Sequence, residues 1–239
     1  MSDRITIAYL YPAEMSIYGD RGNVLTLVRR LEWRGYDVTV LPVRVGEPFD
    51  PMQADLIFGG GGQDRGQAAI ADDLRSRGEA LRTAAAAGVV MLTICGTYQL
   101  FGQTFTTVGG AELAGIGIFA AHTVGTATRM TGNVVLDSHW GTLVGFENHS
   151  GATVLDADQP SLGRVVKGFG NDGQSGYDGA VRDNVFGTYL HGPVLPKCPQ
   201  LADHLLDLAV SRRHPGAVLA PLDDQRELDA ARVAVSRPQ

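Results

Sequence analysis

The stretch that decides the fold is residues 88–100, which read GVVMLTICGTYQL. Its first half is an unbroken apolar and β-branched run, which is typical of a strand buried on both faces, as in a parallel sheet. The run stops at Cys95 and Gly96, and residues 98–101 predict the first turn of a helix. A strand that turns this sharply into a helix lifts its corner residue, Cys95, out of the sheet and places it at the helix N-terminus.

Cys95 is therefore the first candidate for a reactive group. A thiol beside the free N–H groups and the positive end of a helix loses its proton more readily and becomes a nucleophile. The same kind of corner carries the serine in the nucleophile elbow of α/β-hydrolases. A lone free cysteine is more often an inert part of the core. Gly96, which lets the backbone turn tightly beside the sulfur, favours the reactive interpretation.

Size and composition bound the class of protein. The chain has 239 residues, of which 44% are hydrophobic and 19% charged, and this suits one α/β domain over 1–239. A net charge of −6 argues against a nucleic-acid-binding protein. Two cysteines are not a disulfide framework, so a reducing compartment, the cytoplasm, is expected. The sequence shows no signal-peptide h-region and no apolar run of the ~18–20 residues that a membrane span needs.

Strand-like and helix-like segments alternate up to Cys95. The strands are predicted over 4–10, 37–41, 54–58 and 89–94, and the helices over 24–34 and 67–87. This alternation indicates right-handed βαβ units and hence an open, mostly parallel sheet flanked by helices. From 106 to 179 the strand-like pieces are short and separated by glycines, which favours an antiparallel extension of that sheet.

A second strand end carries a candidate catalytic side chain. Residues 185–190 predict a last strand that ends at His191. Groups at the carboxyl ends of the strands converge on one crevice of an open α/β sheet, so we expect His191 beside Cys95. There it would hold Cys95 as a thiolate and later protonate a leaving amine. A lone histidine is more often structural, but the strand-end position before Gly192 favours the catalytic interpretation.

The glycines at 59–62 follow the third predicted strand. They do not form a phosphate loop, because no Lys-Ser or Lys-Thr follows at the required spacing, and they lack the dinucleotide-binding fingerprint. We expect the backbone N–H groups of Gly60 and Gly61, together with that of Gly96, to form an oxyanion hole for a tetrahedral intermediate. A flexible turn is the alternative interpretation.

Five motifs in this order resemble a known family. They are YGDRGN at 18–23, GGGQDR at 60–65, TICGTYQ at 93–99, GFENHSG at 145–151 and GTYLHGP at 187–193. The layout resembles that of class I glutamine amidotransferase domains in their CobB/CobQ-like branch, and most closely the GatD-type glutaminase subunits of lipid II isoglutaminyl synthases. The resemblance implies a flavodoxin-like α/β fold with a mostly parallel sheet.

The resemblance also implies a reaction and a partner. Cys95 would attack the side-chain amide of L-glutamine, form a glutamyl thioester and release ammonia. Arg129 and Gln99 would bind the substrate, and a guanidinium is well suited to pair with the α-carboxylate of glutamine; a surface ion pair is the alternative for Arg129. The implied partner is a MurT-type, Mur-ligase-like subunit that holds the ATP and metal, so no cofactor is expected in this chain, where the histidines show no metal-ligand spacing.

One position departs from the family pattern. Most class I domains carry a glutamate two residues after the catalytic histidine, where this chain has Pro193. The nearest preceding acids, Asp178 and Asp183, are separated from His191 by the last strand. The sequence therefore predicts a Cys–His dyad with no obvious third member: either the third group comes from another chain, or the enzyme works without one. The resemblance implies that the partner supplies this acid.

Two other functions remain open at this point. One is the glutaminase component of a cobyrinate- or cobyrate-type amidase, which is usually fused to an ATP-binding domain. The other is a non-catalytic docking subunit, which the missing glutamate favours and the presence of both Cys95 and His191 opposes. His149 is expected either to line the cleft or to be structural, and Cys198 is expected to be inert.

Overall fold

The computed structural model describes residues 4–237, which form twelve strands and six helices. The strands are β1 (Arg4–Leu10), β2 (Asp37–Val43), β3 (Leu56–Gly59), β4 (Val90–Ile94), β5 (Thr104–Thr106), β6 (Glu112–Ala114), β7 (Ala121–Ser138), β8 (Gly141–Leu155), β9 (Gly163–Lys167), β10 (Tyr177–Asp178), β11 (Ala180–Arg182) and β12 (Val185–Thr188). The helices are α1 (Arg21–Glu32), α2 (Asp64–Ser76), α3 (Gly78–Ala86), α4 (Gly96–Phe101), α5 (Pro199–Arg213) and α6 (Gln225–Ser236).

The first sheet has the order β11-β12-β4-β3-β1-β2 and is parallel except for its antiparallel edge strand β11. Every residue of β3, β4 and β12 is buried, as expected for central strands covered on both faces. The mostly parallel α/β sheet predicted from the alternation of segments is confirmed. The carboxyl ends of β1, β3, β4 and β12 consequently lie at one edge of this sheet.

Two helical regions differ from their predicted extent. The helix predicted over 67–87 is two helices, α2 and α3, which are separated at Arg77. Gly78 lies at this break, in agreement with the low helix propensity of glycine. The last helix, α6, was not predicted from the sequence, and none of its residues is buried.

Arg30 ties α6 to the rest of the molecule. This side chain is 2% exposed and pairs through its guanidinium with Asp203 of α5 and with Asp224, the residue before α6, at 2.6 Å each. A planar guanidinium suits two carboxylates at once. The contact explains how a helix without buried residues is held in place.

The antiparallel strands predicted after Cys95 are present, but those between Thr104 and Asp178 form a second sheet of their own, and only β11 extends the first sheet in the antiparallel sense. The strand order of this second sheet is β10-β9-β7-β5-β6, with β8 paired to β7. The strands β7 and β8 have 18 and 15 residues and form one long antiparallel hairpin, with an irregularity between Gly125 and Met130. Strand β7 pairs with β8, β9 and β5, none of which belongs to the first sheet.

The two sheets meet at the end of β12. An antiparallel bridge joins Phe146 of β8 to His191, three residues beyond that strand. The long hairpin thereby covers the carboxyl edge of the first sheet and forms one wall of the cleft described next. Within residues 4–237 no helix is both long enough and apolar enough to cross a bilayer.

Candidate active site

Cys95 occupies the turn between β4 and α4. Its backbone angles are φ 48° and ψ −108°, a conformation that costs a non-glycine residue about 1–3 kcal/mol. The Cys95 N–H donates to the carbonyl of Thr188 at 2.8 Å, and the Cys95 carbonyl accepts from the N–H of Gln99 at 2.9 Å. A side chain at Gly96 would meet the carbonyl oxygen of Gly62 at 3.0 Å, so the tight corner requires glycine. The sharp strand-to-helix turn expected from the sequence is present.

His191 is fixed in the same place through its backbone. Its N–H donates to the carbonyl of Phe146 at 2.7 Å, and the N–H of Phe146 donates to the carbonyl of His191 at 3.1 Å. The side chain is fully buried. A Cβ placed on Gly61 would lie 2.4 Å from His191 Cε1 and 3.3 Å from Cys95 Cβ, so the imidazole and the thiol face the same short stretch of backbone. The structure thus brings the two predicted catalytic side chains together.

Asp20 provides a carboxylate for His191 from within this chain. Asp20 Oδ1 lies 3.1 Å from His191 Nδ1, and both side chains are fully buried. A carboxylate can only accept from this nitrogen, so Nδ1 carries the proton and Nε2 is left free for the thiol. The sequence offered no obvious third acid, whereas the structure places the Asp20 carboxylate of this chain beside His191. Asp178 is not that acid, because it accepts a hydrogen bond from Thr188.

The electrostatic environment stabilises a charged His191. Burial acts to lower the pKa of this imidazole, but the negative charge of a Cys95 thiolate and the hydrogen bond to Asp20 outweigh it and raise the pKa above its ordinary value. His191 Nε2 is buried and has no hydrogen-bond partner among residues 4–237. A buried imidazolium beside a thiolate is the charge arrangement that an activated cysteine nucleophile needs.

The glycine-rich loop holds Asp20 in place. The N–H of Gly61 donates to Asp20 Oδ2 at 2.6 Å, so its expected role as an oxyanion donor is corrected. The carbonyl of Gly60 accepts from the Thr97 hydroxyl at 2.6 Å, and a Cβ on Gly60 would lie 2.3 Å from a backbone oxygen. Gly62, and neither Gly60 nor Gly61, lines the cleft. The two glycines are required for close packing behind the catalytic groups.

A cleft of about 390 Å³ opens beside Cys95, which is large enough for an amino acid. Its walls come from the loop before α1, the glycine-rich loop, the elbow and the long hairpin. The lining side chains include those of Tyr18, Cys95, Gln99, Arg129, Asn148 and His149. Within residues 4–237, no group of three or more His, Cys, Asp or Glu side chains is arranged to hold a metal ion.

Arg129 lies at the irregularity of the hairpin and reaches this cleft. Arg129 Nε donates to Asn148 Oδ1 at 2.6 Å, and Nη2 donates to the Tyr18 hydroxyl at 3.2 Å. In the described part of the chain no carboxylate pairs with Arg129, so the surface ion pair considered above is not formed. The guanidinium is held by neutral groups at the cleft wall, where it can pair with an anionic group of a ligand.

Three residues of the site belong to the motifs quoted above but were given no role from the sequence. Tyr18 and Asp20 belong to the first motif, and Asn148 belongs to the fourth. The available signal was position: Asp20 follows β1, whose carboxyl end is at the same sheet edge as that of β4. Gln99, the remaining predicted substrate-binding residue, is 4% exposed and lines the cleft.

Comparison with known proteins identifies the family. Residues 6–198 match the CobB/CobQ-like glutamine amidotransferase domain, and the chain belongs to this family. Two solved structures share the fold with a TM-score of 0.55 each: a glutamine amidotransferase, 16% identical over 85% of this chain and 98% of that chain, and the Trypanosoma brucei CTPS glutaminase domain with bound acivicin, 12% identical over 90% and 96%. The chain is a glutamine amidotransferase.

Two curated relatives cover most of the chain. It is 36% identical to the Staphylococcus aureus (strain N315) lipid II isoglutaminyl synthase (glutamine-hydrolyzing) subunit GatD over 234 residues. These aligned residues are 98% of this chain and 96% of that protein. It is 38% identical over 221 residues to the subunit of the same name from Streptococcus pneumoniae (strain ATCC BAA-255 / R6), over 91% and 85%. A probable cobyric acid synthase of Methanopyrus kandleri is 40% identical over 138 residues, which are 51% of this chain and 27% of that protein.

Proposed function

We propose that this chain is the glutaminase subunit of a two-subunit lipid II isoglutaminyl synthase of the cytoplasm. The observation that carries the glutaminase activity is the buried Cys95–His191–Asp20 arrangement at the base of an amino-acid-sized cleft. The acceptor is inferred from the two GatD relatives, which match this chain over nearly its whole length.

In the first half of the proposed reaction, Cys95 Sγ attacks the side-chain carbonyl carbon of glutamine, and the carbonyl π electrons move to its oxygen. The N–H groups of Gly96 and Gly62 are the proposed donors to this oxyanion. The carbon–nitrogen bond then breaks, and the leaving nitrogen takes a proton from the His191 imidazolium and departs as ammonia. A glutamyl thioester on Cys95 remains.

In the second half, a water molecule attacks the thioester carbonyl and transfers a proton to His191 Nε2. The carbon–sulfur bond breaks, which restores the Cys95 thiolate and releases glutamate. Asp20 keeps the imidazole in the tautomer and orientation that both halves need. No acid from another subunit is required for this role, since Asp20 already occupies the Nδ1 side of His191.

The ammonia acceptor belongs to the proposed partner. A MurT-type, Mur-ligase-like subunit would use ATP to activate the D-glutamate carboxylate of the lipid II stem peptide at the inner membrane face. Ammonia from this chain would convert that carboxylate to the amide of D-isoglutamine. In this scheme the site at Cys95 releases the ammonia, and the partner uses ATP to activate the carboxylate that the ammonia attacks.

The test is reconstitution of the two subunits with lipid II, ATP and glutamine. We expect D-isoglutamine formation by the wild-type complex. A complex carrying Cys95→Ala should be inactive with glutamine but active with ammonium chloride, because only the release of ammonia is lost. The acceptor assignment fails if the complex releases ammonia from glutamine but leaves lipid II unamidated, and the glutaminase assignment fails if no ammonia is released.

Replacement of Arg129 with alanine is expected to weaken glutamine binding. Loss of one charge-assisted pair costs about 1.5–3 kcal/mol, which corresponds to a rise in KM of roughly tenfold or more with a smaller change in kcat. The measurement is steady-state ammonia release at varied glutamine concentration. Arg164→Ala, which removes an exposed arginine paired with Asp137, is the matched control. An unchanged KM for the Arg129 variant would remove this residue from the glutamine site.

A further inference from the structure

Gln99 lies within a chain of side-chain hydrogen bonds that starts beside the catalytic cysteine. Gln67 Nε2 contacts the carbonyl oxygen of Gly96 at 3.3 Å and Gln99 Oε1 at 2.7 Å. Gln99 Nε2 contacts the Tyr189 hydroxyl at 2.9 Å, and this hydroxyl contacts Thr153 Oγ1 at 2.6 Å. All of these side chains are buried.

The donors and acceptors in this series of hydrogen bonds are determined by the contact of Gln67 with Gly96. A backbone carbonyl can only accept, so the Gln67 atom facing Gly96 must be the amide nitrogen. The Gln99 atom that faces the same nitrogen is then its oxygen, and the Gln99 nitrogen must donate to Tyr189. The orientation of the Gln99 amide is therefore determined by the structure around it.

This orientation leaves part of the hydrogen-bonding capacity of Gln99 unused. A primary amide has two N–H donors and an oxygen with two lone pairs. Gln67 and Tyr189 use one donor and one lone pair of Gln99. One N–H and one lone pair remain on a side chain that lines the cleft next to Cys95. They are the complement of a second primary amide, such as that of glutamine.

His149 fixes the Tyr189 ring on which this orientation depends. The two rings are stacked, with centroids 3.6 Å apart and planes inclined by 7°. His149 Nδ1 lies 2.8 Å from the carbonyl oxygen of Gly151, to which it must donate. The same Gly151 limits Gln99 from the other side, because a Cβ there would lie 2.3 Å from Gln99 Nε2.

A buried carboxylate lies near the far edge of the His149 ring. Oε2 of the fully buried Glu147 is 3.8 Å from His149 Nε2, which is beyond hydrogen-bond distance. Glu147 is anchored in turn, since its carboxylate accepts the N–H groups of Phe169 and Gly170 at 2.7 and 2.8 Å. The hairpin strand β8 thus presents a rigid imidazole face to Tyr189.

We propose that His149 is a positioning residue for the glutamine site, acting through Tyr189 to hold the Gln99 amide toward the substrate. The inference rests on the proposed glutaminase function and adds a residue that does not touch the reacting atoms. Loss of the stacked ring lets Tyr189 move, and Gln99 then loses the acceptor that fixes its orientation.

The test compares two alkylating reagents on His149→Ala. A glutamine-shaped chloroketone must occupy the glutamine site before it labels Cys95, whereas iodoacetamide needs only the thiolate. We expect chloroketone labelling to slow and the KM for glutamine to rise roughly five- to tenfold, the effect of one misplaced neutral hydrogen bond, with the iodoacetamide rate unchanged. His149→Phe, which keeps a flat ring on Tyr189, should retain most of the affinity. His122→Ala, an exposed histidine on β7, is the matched control.

Coupling to Gln99 provides the second readout. In a Gln99→Ala background, His149→Ala should add no further rise in KM, because both changes remove the same contact. Tyr189→Phe, which removes only the hydroxyl, should reproduce the effect and carries the test if His149→Ala does not fold. Additive effects, an unchanged KM or an equal slowing of both reagents would overturn the inference. A wild-type protein in which the chloroketone does not label Cys95 would instead overturn the proposed function.

Discussion

Replacing Cys95 with alanine is expected to abolish ammonia release from glutamine and to leave the protein folded. Cys95 is the proposed nucleophile, and removal of the nucleophile from a catalytic triad costs roughly 10⁶-fold in kcat in the well-studied case of subtilisin. The fold should persist because the smaller side chain removes no hydrogen bond of the backbone turn. The measurement is ammonia release in an enzyme-coupled assay, with the melting temperature as the test of folding.

Cys198 is the matched control for this variant. It is also buried, but burial raises the pKa of its thiol to about 11, and its sulfur accepts the N–H of Val144. Cys198→Ala should retain activity, and a glutamine-shaped electrophile should label only Cys95. Full activity of Cys95→Ala, or labelling of Cys198 in its place, would contradict the assignment of the nucleophile.

Asp20→Asn is expected to reduce kcat by up to about 10⁴-fold, as the loss of the orienting carboxylate does in serine-protease triads. Asparagine would present an amide nitrogen to either His191 Nδ1 or the N–H of Gly61, both of which donate to Asp20 in the structure. The imidazole would then turn or adopt the wrong tautomer. Steady-state kinetics at saturating glutamine measure the effect.

The pH profile separates this role from a structural one. Asp20 helps to raise the pKa of His191, so its imidazolium persists to higher pH in the wild type. Without the carboxylate, the imidazolium loses its proton at lower pH, and the alkaline limb of kcat/KM should move in that direction. Asp183→Asn, which changes an exposed acid with φ 52°, is the control. Wild-type kinetics in Asp20→Asn would show that the dyad is sufficient.

The reactive cysteine and its histidine were predictable because each follows a strongly apolar strand. Carboxyl ends of parallel strands share one edge of a sheet, so two such residues converge although they are far apart in the chain. The register confirms this reasoning for the backbone: Thr188 pairs with Ile94, the residue before Cys95. The angles of the elbow itself follow from the close approach of the glycine-rich loop.

Asp20 was not predicted from the sequence as the partner of His191 because it lies far from that residue along the chain. Asp20 is 171 positions away and lies in a loop without an apolar pattern. The rule that predicted Cys95 and His191 applies equally to the loop after β1, which ends at the same edge. What the rule does not give is the direction of a loop side chain, which here depends on the Gly61 N–H.

The second sheet was misjudged for a different reason. Burial alternates along β8, but its buried positions from 145 to 153 are Gly145, Glu147, His149, Gly151 and Thr153, so the sequence shows no apolar alternation there. Glycines suggested short pieces, whereas the hairpin runs continuously from Ala121 paired with Leu155 to Ser138 paired with Gly141. Pairing partners are a tertiary property that local patterns do not determine.

The bridge between Phe146 and His191 couples the position of the long hairpin to that of His191. Two backbone hydrogen bonds join His191, the proposed base, to strand β8, whose neighbouring residues line the cleft beside Cys95. A slip of β8 by one residue, about 3.3 Å, would break both bonds and carry His149 out of register with Tyr189. A single displacement of the hairpin would therefore disturb both the backbone support of His191 and the stacking of His149 on Tyr189.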